Sequence, residues 1–261
     1  MEPQERAADK TLMVEWNRQT AGNLHTLDAY EQLFAATPGT TLSKLENFAK
    51  HVRRQRLSKF LAHAEIFKRI LEVHGSVLDL GVNAGQSLFT WAQLSAIFEP
   101  VNYTRAIVGF DTFAGIPSVS EKDLTGPAPS SHLTPGGFTF DDVTSLRSAI
   151  KAFDDNRFLG HIPKIELVTG DIVKTLPVYL RENQHLVVSL LHLDMDVYEP
   201  TKLALELVRP RMPRGAVIVF DEINQKPYPG ETRAVMESLG LSALRIQRFP
   251  WETGLSYAVL E

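Results

Sequence analysis

The sequence predicts an α/β fold: a doubly wound, mostly parallel sheet with helices on both faces, closed by a C-terminal antiparallel hairpin and preceded by an N-terminal helical extension. Three observations carry this. From Ser76 onward, short and nearly continuous apolar runs alternate with helix-length segments, the pattern of parallel strands buried on both faces. Four of the first five runs end in an acid, at Asp111, Asp171, Asp194 and Asp221, and the remaining one has Asp79 just before a glycine turn. The last two runs are separated only by "PWETG", a spacing that favours a hairpin.

The elements follow in order. The first forty residues carry a weak pattern of short helices and turns. "SKLENFAKHVRRQRLSKFLAHAEIFKRILEVHG" then predicts one or two helices, because Leu45, Phe48, Val52, Phe60, Ala64, Phe67 and Leu71 recur near helical spacing. Ser43 and Glu46 have the spacing of a capping box. The basic run "HVRRQR" inside this segment reads as a solvated helix face in preference to a phosphate site. Next come the strand "SVLDL", the turn "GVNAG" and the helix "QSLFTWAQLSAIF". Further strands are expected at "AIVGFD", "KIELVTGD", "LVVSLLHLD" and "GAVIVFDE", with the hairpin formed by "ALRIQRF" and "LSYAVL". Residues 116–138 hold four prolines and three glycines with little periodicity, which reads as a lid over the strand ends. Residues 1–75 are expected to form a helical extension or lid, part of the same unit, and residues 76–261 the ligand-binding domain.

Composition narrows the classes of function. With 261 residues, 44% hydrophobic and 22% charged, the chain has the make-up of an ordinary globular protein. A formal net charge of -4 supplies no global field to recruit nucleic acid or an anionic membrane. Zero cysteines exclude disulfides and thiolate metal sites. No apolar run approaches the ~20 residues of a membrane span. The start, "MEPQERAADK", is charged where a signal peptide would be apolar. A cytoplasmic protein is expected.

The candidate site lies at the strand ends, where open parallel sheets bind ligands. Asp194 and Asp196 stand two positions apart, so an extended strand would point both to one side. Crowded carboxylates repel unless a cation or a shared proton relieves them. Gly81 and Gly85 are spaced G-x-x-x-G, which is neither a dinucleotide fingerprint nor a P-loop. Asp111, about thirty residues on, is placed to accept hydrogen bonds from a ribose diol. Turn and acid together suggest an adenosyl group across the strand tips. His192 alternates with Leu191 and Leu193 and reads as a buried, hydrogen-bonded histidine. Tyr198 and His132 are weaker candidates for substrate contact. In 221–235, Asn224 and Gln225 offer polar contacts, but a turn held by Pro227, Pro229 and Gly230 is preferred. Trp16, Trp91 and Trp251 read as packing residues. No G-x-S-x-G elbow marks a hydrolase. The Asp194-x-Asp196 pair also fits a metal-dependent glycosyltransferase, though that reading leaves the glycine turn and Asp111 unexplained. A non-catalytic cofactor-binding module is a further alternative.

"VLDLGVNAGQS", "GFDTFAGIP", "VTGDIVKTLP", "LLHLDMDVYEPTK" and "GAVIVFDE" fall in the order seen in the macrocin O-methyltransferase family, which the chain resembles from about Phe67 to Glu222. The resemblance implies a class I methyltransferase (Rossmann-like) fold and an S-adenosylmethionine- and magnesium-dependent O-methyltransferase acting on a sugar of a natural product or nucleotide. It places Asp79, Gly81, Gly85 and Ser87 around the methionine end of S-adenosylmethionine, Asp111 at the ribose and Asp171 near the adenine. It makes Asp194 a metal ligand, Asp196 the general base, and Asp221 and Glu222 further ligands to Mg2+ or another divalent cation. Where the family has an Asp-Asp pair, this chain has Asp221-Glu222. The implied partner is a small glycosylated molecule, with neither nucleic acid nor membrane, and the implied assembly is a homo-oligomer.

Overall fold

The computed structural model of the chain describes residues 21–126 and 129–261. The chain divides into two compact units, Met1–Lys59 and Phe60–Glu261. In the first lie helices α1 (Ala21–Ala36), α2 (Thr41–Glu46) and α3 (Phe48–His51). The expectation for residues 1–20, Trp16 included, falls outside the described residues. The cap of α2 is Thr40, whose hydroxyl accepts the Ser43 amide at 3.2 Å. Ser43 therefore lies inside the helix, and its own hydroxyl donates to the Thr40 carbonyl at 2.9 Å. Gly39, at φ +107, turns the chain just before Thr40, so the helix starts three residues earlier than the expected capping box required. Extended backbone at Val52 (φ -102, ψ 132) ends α3 and breaks the helical pattern that the apolar spacing suggested.

Then follow, in chain order, α4 (Arg54–Phe67), β1 (Ser76–Leu80), α5 (Gln86–Phe98), β2 (Ile107–Asp111), α6 (Glu121–Leu124), α7 (Val143–Asn156), β3 (Ile165–Thr169), α8 (Ile172–Glu182), β4 (Val188–Leu193), α9 (Tyr198–Val208), β5 (Val217–Phe220), α10 (Pro229–Ser238), β6 (Gln247–Phe249) and β7 (Glu252–Val259). The strands form one seven-stranded sheet in the order β3-β2-β1-β4-β5-β7-β6. All neighbours are parallel except at β7, which runs antiparallel to β5 and β6. Order reverses between β1 and β4, which makes a topological switch point there.

Strand alternation sorts the core into two layers. Val77, Ile107, Ile165, Leu190 and Val217 pack with α4, α5 and α7 through Phe67, Trp91 and Leu146. Their neighbours Leu78, Val108, Leu191 and Ile218 pack on the other face with α8, α9 and α10 through Leu176, Leu205 and Val235. Both faces of β1, β4 and β5 are buried, which is why these strands read as continuous apolar runs. Among the described residues, no helix is long and apolar enough to cross a membrane.

The amino ends of the strands are tied by one cation. Arg105, 3% exposed, donates to the carbonyls of Gly75 (2.7 Å), Ile70 and Val73 (3.0 Å each) and to Ser189 Oγ. Its Nε stands 2.7 Å from Glu99 Oε1, an ion-pair distance without hydrogen-bond alignment. Arg105→Leu leaves a largely buried carboxylate and several carbonyls uncompensated. It is expected to lower stability by about 3–5 kcal/mol in urea unfolding, while a loss below about 1 kcal/mol would show that water replaces the guanidinium.

Candidate active site

Residues 116–138, read from the sequence as a lid, are a folded excursion with Pro127 and Ala128 outside the described residues. Its base is closed by Ile116 N donating to Gly137 O and Gly136 N donating to Ile116 O, at 2.9 and 2.8 Å. Asp123, 1% exposed, fastens it: Oδ1 accepts the Tyr198 amide at 2.6 Å, and Oδ2 accepts the amide and hydroxyl of Ser120 at 2.7 Å each. Tyr228 Oη donates to Ser130 Oγ at 3.0 Å, and Ser130 N to Pro227 O at 3.1 Å. The segment is thereby pinned to the turns that follow β4 and β5.

The strand-end acids sit at the carboxyl edge of the sheet. Parallel pairing continues one residue past the strands: Gly81 N donates to Phe110 O (2.9 Å), Asp194 N to Leu80 O (2.9 Å) and Asp221 N to Leu193 O (3.2 Å). This ladder brings the tips of β1, β4 and β5 side by side at the switch point. A Cβ on Gly81, at φ +98, would overlap the Asp194 carbonyl oxygen, so glycine is required for the first turn to pass under the acidic one. At Gly85 (φ +88), the residue before α5, a Cβ would press on Leu146 Cδ2 at 2.5 Å.

At the tip of β2, Asp111 holds the glycine turn in place. Its Oδ2 accepts the Asn83 amide at 2.7 Å and its Oδ1 the Phe113 amide at 2.6 Å, and each oxygen keeps a lone pair for a ligand. Asn83 and Phe113 both have positive φ, at 46° and 54°. Asp79 is fully buried, with Oδ2 accepting from Ser87 Oγ at 2.8 Å and Oδ1 lying 2.5 Å from His192 Nδ1. It orders residues around the turn from beneath. Asp171 caps α8 by accepting the Val173 amide at 3.0 Å and meets Lys174 Nζ at 3.2 Å.

Beyond the tips of β4 and β5, one carboxylate oxygen each of Asp194 and Asp221 and a ring nitrogen of His192 lie within 4.8 Å of one another. Glu222 is 5% exposed, and its Oε2 has no hydrogen-bond partner. Burial raises its pKa well above the ordinary glutamate value, and the charges of Asp196, Asp221, Glu231 and Asp194 raise it further. Glu231, in the first turn of α10 and 1% exposed, accepts the Glu222 amide at 3.0 Å. Its pKa is also raised, by burial and then by Asp221, against the lowering effect of that amide bond. Five carboxyl groups thus act on one another at this edge.

Asp196 reaches the cluster by an unexpected route. The strand ends at Leu193, so alternation does not place Asp196. Instead Val197 N donates to Met195 O at 2.8 Å across Asp196, whose φ is +63°. This is the rare, strained form of the γ-turn, and strain of this kind concentrates at functional sites.

His192 is fully buried, as its alternation predicted. Burial lowers its pKa, but the bond to Asp79 and the charges of Asp79, Asp194 and Asp221 outweigh that and leave it raised. Glu231 and Asp123 carry no sequence signal of their own, since an acid in a first helical turn reads as a dipole partner. Asn224 and Gln225 belong to turns, with Gln225 N donating to Glu222 O at 3.0 Å and Pro229 opening α10.

The raised glutamates set a pH dependence. Glu222 and Glu231 bind protons more tightly folded than unfolded, so stability is present below the ordinary value of 4.5 and is lost as pH rises through their higher folded values. The melting temperature is expected to fall as pH rises above the ordinary glutamate value of 4.5. A flat profile in chelator would contradict the burial of these charges.

A family of proteins described as a methyltransferase domain matches residues 78–223. Among solved structures, that of CalS11, calicheamicin methyltransferase, aligns at 32% identity over 92% of this chain and 93% of that one, with a TM-score of 0.87. The apo structure of CalS11, TDP-rhamnose 3'-O-methyltransferase of calicheamicin biosynthesis, aligns at 30% identity over 92% and 95%, with a TM-score of 0.79. The O-methyltransferase NovP, at 19% identity over 79% of each chain and a TM-score of 0.57, shares the fold. No curated protein sequence matches the chain. The chain belongs to the methyltransferase-domain family and has its class I fold. It is an S-adenosylmethionine-dependent O-methyltransferase, and the glycosyltransferase and inert-module readings give way.

Proposed function

We propose that the acceptor is a hydroxyl of a sugar, borne on a nucleotide or a natural product, and that a divalent cation, Mg2+ or a similar ion, assists its methylation. The observation that carries the reading is the close approach of Gly81 to the Asp194 carbonyl, which sets the proposed cofactor turn against the acidic cluster. The action of CalS11 on TDP-rhamnose, at 30% identity over 92% of this chain, supports a sugar as acceptor.

Gly81, Gly85 and Ser87, with Asp79 behind them, would receive the methionine end of S-adenosylmethionine, Asp111 the ribose and Asp171 the adenine. Asp194, Asp221 and Glu222 would hold the cation, because hard divalent ions take carboxylate oxygens. The buried, partnerless Glu222 Oε2 in a field of acids fits that role. A cation held there would supply Lewis-acid chemistry, lowering the proton affinity of the acceptor hydroxyl. Asp196 takes the proton as the hydroxyl oxygen bonds the methyl carbon and the carbon–sulfur bond breaks. Its strained turn supports this role, because strain of this kind concentrates at functional sites. Asp123 and Glu231 hold the backbone of Tyr198 and Glu222, so the base and the ligands keep their spacing.

The test is transfer of labelled methyl from S-adenosylmethionine to a panel of TDP-sugars and glycosylated metabolites, with product mapping by mass spectrometry. Label on a sugar oxygen is the expected result. Label confined to phenols or amines would overturn the acceptor class.

A further inference from the structure

We propose that His192 supplies a nitrogen ligand to the cation site, oriented by Asp79, and that the site therefore favours ions that accept imidazole, such as Mn2+, Co2+ or Ni2+, over Mg2+. The inference rests on the cation reading above and adds a donor that the carboxylate set does not contain.

The geometry begins with strand pairing. Asp79 and His192 are register partners on β1 and β4, and alternation puts His192 and Asp194 on the same face of the sheet. Asp221 follows β5, in register just beyond the Leu193–Phe220 pair. The ring cannot choose its orientation freely. Nδ1 is committed to Asp79 Oδ1 at 2.5 Å, and Asp79 is itself fixed by Ser87 Oγ at 2.8 Å. Edge-on contacts with His63 and Trp91, at centroid distances of 5.6 and 5.7 Å, wall the ring in. The nitrogen left over is Nε2, which is buried and has no hydrogen-bond partner.

A buried polar atom without a partner loses its hydration with no bond in return. The histidine is fully buried and locked by a carboxylate on Nδ1, and a ring nitrogen is grouped within 4.8 Å of two acidic oxygens, so the partnerless Nε2 is available to a cation. Metal-ligating histidines characteristically donate their second N–H to a carboxylate, which fixes the tautomer and raises the basicity of the ligating nitrogen. Asp79, His192 and the site at Asp194 and Asp221 reproduce that sequence of contacts. Affinity at a mixed nitrogen and oxygen site rises along the series from Mn2+ to Cu2+, whereas Mg2+ is selected by oxygen alone.

The test uses the full-length chain and Mn2+ as probe, without substrate. Electron spin-echo modulation of bound Mn2+ is expected to show one directly coordinated nitrogen, which changes to the nitrogen-15 pattern when histidine is isotopically labelled. Displacing Mn2+ is expected to need an Mg2+ excess of roughly 10-fold or more. Asp79→Asn should weaken Mn2+ binding by about 10–100-fold, as loss of an outer partner does. His192→Gln should abolish the nitrogen signal, and should that variant not fold, the labelled wild-type spectrum decides alone. Mn2+ bound without nitrogen coupling overturns this inference and leaves the carboxylate site standing. No Mn2+ binding at all overturns the cation reading with it.

Discussion

Asp196→Asn is expected to cut turnover by about 10²–10⁴-fold, the range for loss of a positioned general base, with affinities for S-adenosylmethionine and cation changed by less than about threefold. The asymmetry follows from where Asp196 stands. It is reached through a turn of positive φ beyond the end of β4, not by the backbone ladder that carries Asp194 and Asp221. Asparagine tolerates positive φ about as well as aspartate, so the substitution preserves the backbone and removes only the proton acceptor. Single-turnover methylation, with cation and cofactor affinities from calorimetry, separates the two effects. A loss of cation affinity as large as the loss of turnover would show that Asp196 is a ligand.

Asp194→Asn is expected to do the reverse, weakening the cation by roughly 100-fold or more while leaving cofactor affinity nearly unchanged. The Asp194 amide bond to Leu80 O and the carbonyl against Gly81 are backbone features that survive the change, so the effect reports the carboxylate. Activity should recover in part at high cation concentration. Activity that a strong chelator leaves intact in the unmodified protein would remove the cation from the mechanism.

Much of this was legible in the sequence. The strand "SVLDL" and the helix "QSLFTWAQLSAIF" occupy the ranges their patterns predict, because a strand buried on both faces and a helix bounded by glycine leave little alternative. The acids at the strand ends also read correctly as an edge, since their position follows from local order. Contacts that depend on pairing did not read. The Asp79–His192 bond joins residues 113 positions apart, and only the β1–β4 register creates it. Asp196 was expected to follow strand alternation, but the strand stops at Leu193 and a tight turn sets its direction. Asp123 falls in the aperiodic 116–138 stretch and Glu231 in the 221–235 segment read as a turn, and they become buried anchors only when α10 and the 116–138 excursion fold over the same edge. The capping box at Ser43 failed for a local reason: Thr40 offers the same hydroxyl chemistry where the chain enters the helix.

The central claim is that the acids ending β4 and β5 gather one divalent ion beside the methyl donor. Anomalous diffraction from crystals grown with Mn2+ and S-adenosylhomocysteine tests it most directly. A single manganese peak between Asp194 and Asp221, within coordination distance of both and in the same crevice as the cofactor sulfur at Gly81, is the predicted result. Cofactor in the crevice with no peak at those carboxylates, or manganese bound elsewhere on the chain, would contradict it.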